Sequence, residues 1–347
     1  MSPYENLPAR NYWKTGVAQA HALEISDLYT KKFDISAEAR IATAGSCFAQ
    51  HIRRRLSDNG FKVLDMEPAP LGLTLARYSA YGFGQFSARY GNIYTVRQLL
   101  QLAQESLGLL KPRNIVWKKG DFHVDGLRPA IEPNGFPSAE QVLIHRGRHL
   151  FEVRSMLERM DLMVFTLGLT EAWVDRADGV VYPTAPGTVA QPMDAASIEF
   201  KNFTVSETIA DFLSFRKLIH QFNPECRFLL TVSPVPLTAT ASAQHVLPAT
   251  TYSKSVLRAA AGELAATLAD VDYFPSYELI SSPVFKGFFF DANLRTVSAA
   301  GVDFVMKTFF QAHRPHASAA EPGPATGVPA TQFDAACEDA LLEAFAK

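Results

Sequence analysis

Three short runs without a charged residue limit what this chain can become. They are Ile41 to Ala44, Leu162 to Leu167 and Phe228 to Val232, and each ends on small residues: Gly45-Ser46, Gly168 and Ser233-Pro234. Leu162 to Leu167, bounded by Asp161 and Gly168, reads as a parallel strand covered on both faces. After the first run, Phe48, Ile52 and Leu56 recur at helical spacing, and further helical patterns cover 205–222 and 253–268. Strand alternating with helix over about 270 residues predicts one α/β domain, a three-layer α/β/α arrangement around a parallel sheet of about five strands. Ile41 to Ala44 is expected at the centre, with further strands at Phe61 to Leu64 and Val271 to Phe274.

The flanks divide the chain. Residues 1–38 read as an arm packed on the domain, which spans 39–312. Within it, 67–85 is an irregular crossing rich in Pro, Gly and Ala, and 90–107 is a glycine turn followed by a helix. Residues 111–132 form a hairpin with polar residues facing a cleft, and 180–186 form a brief excursion strand. From 313 to 331 the composition shifts to Ala, Pro, Gly and His, as in a flexible linker. The final segment, 332–347, holds a short acidic amphipathic helix.

Composition narrows the function classes. A net charge of −2 over 347 residues gives no electrostatic pull toward nucleic acid. Three widely spaced cysteines (Cys47, Cys226, Cys337) form no CxxC pair and indicate neither a disulfide framework nor a zinc site. The amino terminus lacks the pattern of a secretory signal, and no apolar run approaches a membrane span, so the expected compartment is the cytoplasm. No HExxH, GxxxxGK[ST] or strand-borne GxGxxG occurs, so no metal and no nucleotide cofactor are expected.

The chemistry converges on Gly45-Ser46-Cys47, where a strand, a glycine, a hydroxyl or thiol and a helix follow one another. That layout exposes a nucleophile at the carboxyl edge of a parallel sheet, beside the positive end of a helix, where a thiolate is favoured. The stretch GSCFA (Gly45 to Ala49) resembles the signature of the GSCFA family, which is placed with the SGNH (GDSL-like) hydrolases. The resemblance continues through ARYGNIYT (88–95), FTLGLTEAW (165–173), LTVSPVPL (230–237), YSKSVLR (252–258) and YFPSYE (273–278), and covers about residues 1 to 312. It implies an SGNH-hydrolase-like, flavodoxin-like domain and an acyl-enzyme mechanism. Its substrate would be a small-molecule or glycan ester, a preference that comes from the SGNH relatives and not from residues here.

Such a hydrolase draws its nucleophile from the first block and its oxyanion donors from the second and third, here Gly91-Asn92 and Gly168–Glu171. An Asp-x-x-His pair near the end supplies the base. This chain departs from that pattern in three places. Aligned on Gly45, the nucleophile position falls on Cys47, with Ser46 the alternative. GLTE stands where GxND is usual, placing Thr170 and Glu171 at the amide and acid positions. Asn293 and Thr296 stand where Asp and His are sought, and neither is a base. Among nine histidines, His245 in the loop after the third run is the candidate base. His51, His123, His145, His149 and His220 read as packing or polar residues, while His21 lies in the arm and His313 and His316 in the linker. Glu171, Asp125 and Glu278 are candidate acidic partners, and Asp125 with Arg128 could grip a polar substrate. Two functions fit: an esterase or acyltransferase working through Cys47 or Ser46, or a binding or scaffold protein that has kept the fold and lost the base.

Overall fold

The structure, a computed structural model, describes residues 2–313 and 338–346. β1 (Ile41–Gly45), buried at every residue, leads through Ser46 into α1 (Cys47–Asp58). α2 (Leu75–Ala80) and α3 (Val96–Ser106) precede a hairpin of β2 (Val116–Lys119) and β3 (Phe122–Asp125). After α4 (Ala139–Arg159) comes β4 (Leu162–Leu167), then the short strands β5 (Glu171–Asp175), β6 (Val181–Tyr182), β7 (Gln191–Pro192) and β8 (Ile198–Asn202). α5 (Val205–His220), β9 (Arg227–Val232), α6 (Val246–Thr267), β10 (Val271–Phe274), α7 (Ser276–Ser281) and α8 (Ala299–Ala312) follow.

The main sheet has four parallel strands in the order β1-β4-β9-β10. Alternation of side chains splits the core in two. Ala42, Phe165 and Leu230 face α3, α4, α5 and α6, while Ile41, Val164 and Leu229 face α1, α7 and α8. Burial of each large apolar side chain contributes roughly 1.5–3 kcal/mol, so the two faces together hold the sheet between helical layers. The short strands form two further sheets, β3-β2-β7 and β6-β5-β8.

β1 is an edge strand of this sheet, not its centre. The segment expected as a neighbouring strand makes one bridge, Val63 to Ile41, and then departs toward Pro68 and Pro70. Irregular chain completes the edge in three steps. Ile41 and the 62–64 segment exchange bonds (Ile41 N–H to Lys62 O, 2.9 Å; Leu64 N–H to Ile41 O, 2.8 Å). Ser87 N–H then reaches Thr43 O at 3.3 Å, and Ile93 N–H reaches Gly45 O at 2.9 Å. Every outward carbonyl is satisfied without a fifth strand.

The arm is tied to the far edge of the sheet: Tyr29 Oη and Lys32 N–H both donate to Asp272 Oδ2 at 2.8 Å. His313, expected in the linker, is instead buried at the end of α8, with Nε2 2.9 Å from Tyr29 Oη and its ring against Phe309. Most of the expected linker, the start of the expected terminal helix and Cys337 lie outside the described residues; Glu338–Phe345 is a 3-10 helix. No helix among the described residues is long and apolar enough to cross a membrane.

Candidate active site

Gly45 ends β1 at φ 141°, and a Cβ there would lie 2.4 Å from Thr166 O, so only glycine permits this approach of β1 to β4. The next residue, Ser46, is the N-cap of α1. Every other helix of eleven or more residues has a side chain accepting from its first turn: Thr95 on α3, Ser138 on α4, Thr204 on α5, His245 on α6 and Ser298 on α8. Ser46 makes no such bond. Its Oγ is buried and has no hydrogen-bond partner among the described residues, a state that costs about 1–3 kcal/mol. Thr166 Oγ1 and Thr170 Oγ1, at and just beyond the end of β4, are likewise buried without partners among the described residues. Three hydroxyls therefore stand unsatisfied around the carboxyl ends of two adjacent strands.

Cys47 begins α1. It is 7% exposed and belongs to neither of the two large apolar clusters. Cys226 sits inside the larger cluster, where burial pushes its thiol up to about 12. The two thiols form no disulfide.

Gly168 closes the turn from the β4 side. A Cβ on it would lie 2.9 Å from Ser46 Cβ. Its N–H donates to Tyr94 O at 3.0 Å, and its carbonyl accepts from the buried Lys254 Nζ at 2.7 Å. Its N–H is therefore not directed at a substrate oxygen. On the other side, Gly91 turns at φ 69° and Asn92 is buried, its Oδ1 accepting from Gln50 Nε2 on α1 at 3.3 Å. Thr170 N–H donates to Ser253 Oγ at 3.1 Å.

The remaining candidates make hydrogen bonds or ion pairs of their own. His245 is exposed, and its Nδ1 accepts from Leu247 N–H at 3.1 Å as the cap of α6. Glu171 is half-buried and accepts from Thr240 Oγ1 at 2.5 Å and Ala241 N–H at 3.4 Å, and burial raises its carboxyl above the ordinary range. Glu278 lies on α7 after β10, the strand at the opposite edge of the sheet from β1, and is engaged by Arg258 and Tyr273. Asp125 and Arg128 line a cavity of about 390 Å³ but are themselves buried and bonded within the protein. Each Asp125 oxygen accepts two hydrogen bonds, from Leu127 N–H, Arg128 and Arg146. Although burial alone would raise it, Arg146 and Arg128 hold this carboxyl down at about 2. Arg128 also donates to Arg89 O and His145 O. Asn293 and Thr296 hydrogen-bond to each other in an exposed turn.

Sequence reasoning passed over Lys254, Arg146 and Glu67, the partner of His149, which reads as a packing residue and is buried. Lys254 falls on the buried stripe of α6 with Leu257, Ala261 and Leu264, and Arg146 and His149 fall on the α4 stripe with Val142 and Val153. A charged residue on an apolar stripe was the available signal. His149 Nδ1 lies 2.6 Å from Glu67, its Nε2 has no partner, and burial holds the imidazole down at about 4. His51, on α1, is likewise held at about 4 by burial and by Arg55 and Arg54.

The sequence matches no functionally curated protein. The family model of the GSCFA family matches residues 40–309, from the residue before β1 into α8. The turn, the Gly168 contact and the sheet that carries them all lie within that span, and the chain belongs to the GSCFA family.

Proposed function

We propose that this chain is an SGNH-like hydrolase or acyltransferase that carries an acyl group on Cys47. One observation supports this above the rest: among the described residues, α1 is the one long helix whose N-cap side chain makes no bond to its first turn, and the buried thiol beside it belongs to neither large apolar cluster. Family membership supports a hydrolase of the GDSL-like class.

In this reading the Cys47 thiolate attacks the ester carbonyl. A sulfur–carbon bond forms, the bond to the alcohol oxygen breaks, and the proton lost by the thiol leaves with the alcohol. Water then releases the acid, or a second alcohol takes the acyl group, and the proton of either returns to the sulfur. The first-turn N–H groups of α1 and the Ser46 hydroxyl donate to the oxyanion. Gly168 contributes by leaving room beside Ser46, since its N–H is given to Tyr94. A thiolate at a helix N-terminus works without a strong base, which suits a chain with Asn293 and Thr296 in the usual base position.

The second reading, a binding or scaffold protein, draws on the Asn293–Thr296 turn, whose polar groups bond to one another. Incubation with iodoacetamide and, separately, a fluorophosphonate, followed by peptide mass spectrometry, separates the two. The enzyme reading expects Cys47 to be alkylated well before Cys226. Equal, slow labelling of both thiols together with an unmodified Ser46 supports the scaffold.

A further inference from the structure

A cavity of about 210 Å³ opens between the chain that follows β4 and the loop that follows β9. It lies near the Ser46 turn through Leu169, whose neighbour Gly168 leaves no room for a Cβ beside Ser46. Its walls are mostly apolar (Leu169, Trp173, Pro183, Leu237), and Leu342 of the terminal 3-10 helix closes one side. Glu171 is the one titratable side chain among its lining residues, none of which is Lys, Arg or His. Glu171 forms no ion pair among the described residues; its partners are a threonine hydroxyl and one backbone N–H. Thr184 Oγ1, in the same lining, is buried with no hydrogen-bond partner among the described residues.

We propose that this cavity binds a cationic amine group of the substrate, with Glu171 as its counter-ion. The inference rests on the acyl-transfer reading for the identity of the neighbouring site. A carboxylate half-removed from water without a counter-charge is the group that gains most from a bound cation. An alkyl group filling the same space would bury that charge unpaired, and an anion would be repelled with no basic residue to offset it. A neutral sugar, the substrate class suggested by the SGNH relatives, would satisfy Thr184 and leave Glu171 uncompensated. Trp173 adds an indole, the best ring for attracting a cation, and the apolar walls receive the methylene or methyl groups that an amine carries.

The test uses the full chain, because Leu342 is part of the wall. The Trp173 indole N–H resonance, assigned by its loss in Trp173→Phe, is followed while choline, n-propylamine, butyrate and methyl glucoside are titrated in turn. Saturable shifts with the two amines alone are expected, with affinity falling at least about tenfold in Glu171→Gln. Acetylcholine should likewise exceed its neutral isostere 3,3-dimethylbutyl acetate in kcat/KM by about tenfold. No response to either amine, an equal response to methyl glucoside or butyrate, or unchanged amine affinity in folded Glu171→Gln overturns the proposal. Amine titration and ester turnover, both read on the wild-type chain, separate the two claims. Amine binding without turnover of any ester leaves this site standing and removes the acyl-transfer reading. Ester turnover without amine binding does the reverse.

Discussion

Two polar regions of this protein are built on opposite terms. Behind β3 and α4, the buried Asp125, Arg128 and Arg146 and the half-buried Glu105 are charged and joined by ion pairs, with Arg128 also donating to two backbone carbonyls. At the carboxyl ends of β1 and β4, uncharged Ser46, Thr166 and Thr170 are just as buried and leave their hydroxyls unbonded. The first arrangement stabilises, because a buried ion tolerates its loss of water only when paired. The second costs stability, and a fold keeps such groups where they serve something besides folding. Charge density is a poor guide to the site here, and unsatisfied small hydroxyls are a better one.

Removing one member of the charged network should produce the largest change in stability. Arg146→Ala leaves Asp125 and Glu105 buried without their shared partner and should cost about 3–5 kcal/mol in denaturant unfolding. A loss below about 1 kcal/mol would mean that the network is solvated and the contrast with the turn is false. Acid should act on the same region. Burial holds His149 down at about 4 against an ordinary 6.5, so below 6.5 the unfolded chain takes up a proton that the native state refuses. Stability should then decline between pH 6.5 and 4 by on the order of 3 kcal/mol from this residue alone. His149→Gln, which can still donate to Glu67, should flatten the decline. A thermal midpoint that is level over that interval in the wild type contradicts the burial argument.

At the turn the expected sign is different. Gly168→Ala pushes a Cβ to 2.9 Å from Ser46 Cβ and forces the turn to shift. Turnover of a short-chain ester should fall about a hundredfold while stability changes by only about 1–3 kcal/mol. Full turnover in a folded Gly168→Ala would separate Ser46 from the chemistry. The smallest effect belongs to the tail. Truncation before Ala317 should leave the thermal midpoint within a few degrees, since a linker of that composition buries little apolar surface. A large drop would mean that the contact made by Leu342 is one of many.

Much of this was legible in the sequence, and the misses have physical causes. β4 and β9 announced themselves as short apolar runs because both their faces are covered, and α3 and α5 as apolar residues at helical spacing. The position of β1 at the sheet edge was not legible. Its outer bonds come from Lys62, Leu64, Ser87 and Ile93, and no local pattern marks partners so scattered. His313 was hidden for the same reason, since its partner Tyr29 lies 284 residues away in the arm. The Gly45 turn could be read from residue types alone. The state of the Ser46 hydroxyl could not, because an N-cap serine that bonds to its helix and one that does not look identical in sequence.

A reactive turn with Cys47 as its nucleophile is the central claim. Turnover of a short-chain acyl ester by wild type, Cys47→Ala and Ser46→Ala, each confirmed as folded by its thermal transition, tests this most directly. Loss of all measurable turnover in Cys47→Ala is predicted, together with a partial loss of about 10²–10³ in Ser46→Ala, the effect of removing one oxyanion donor. Full activity in Cys47→Ala with none in Ser46→Ala would move the acyl group to the serine. Wild-type turnover in both variants would contradict the account.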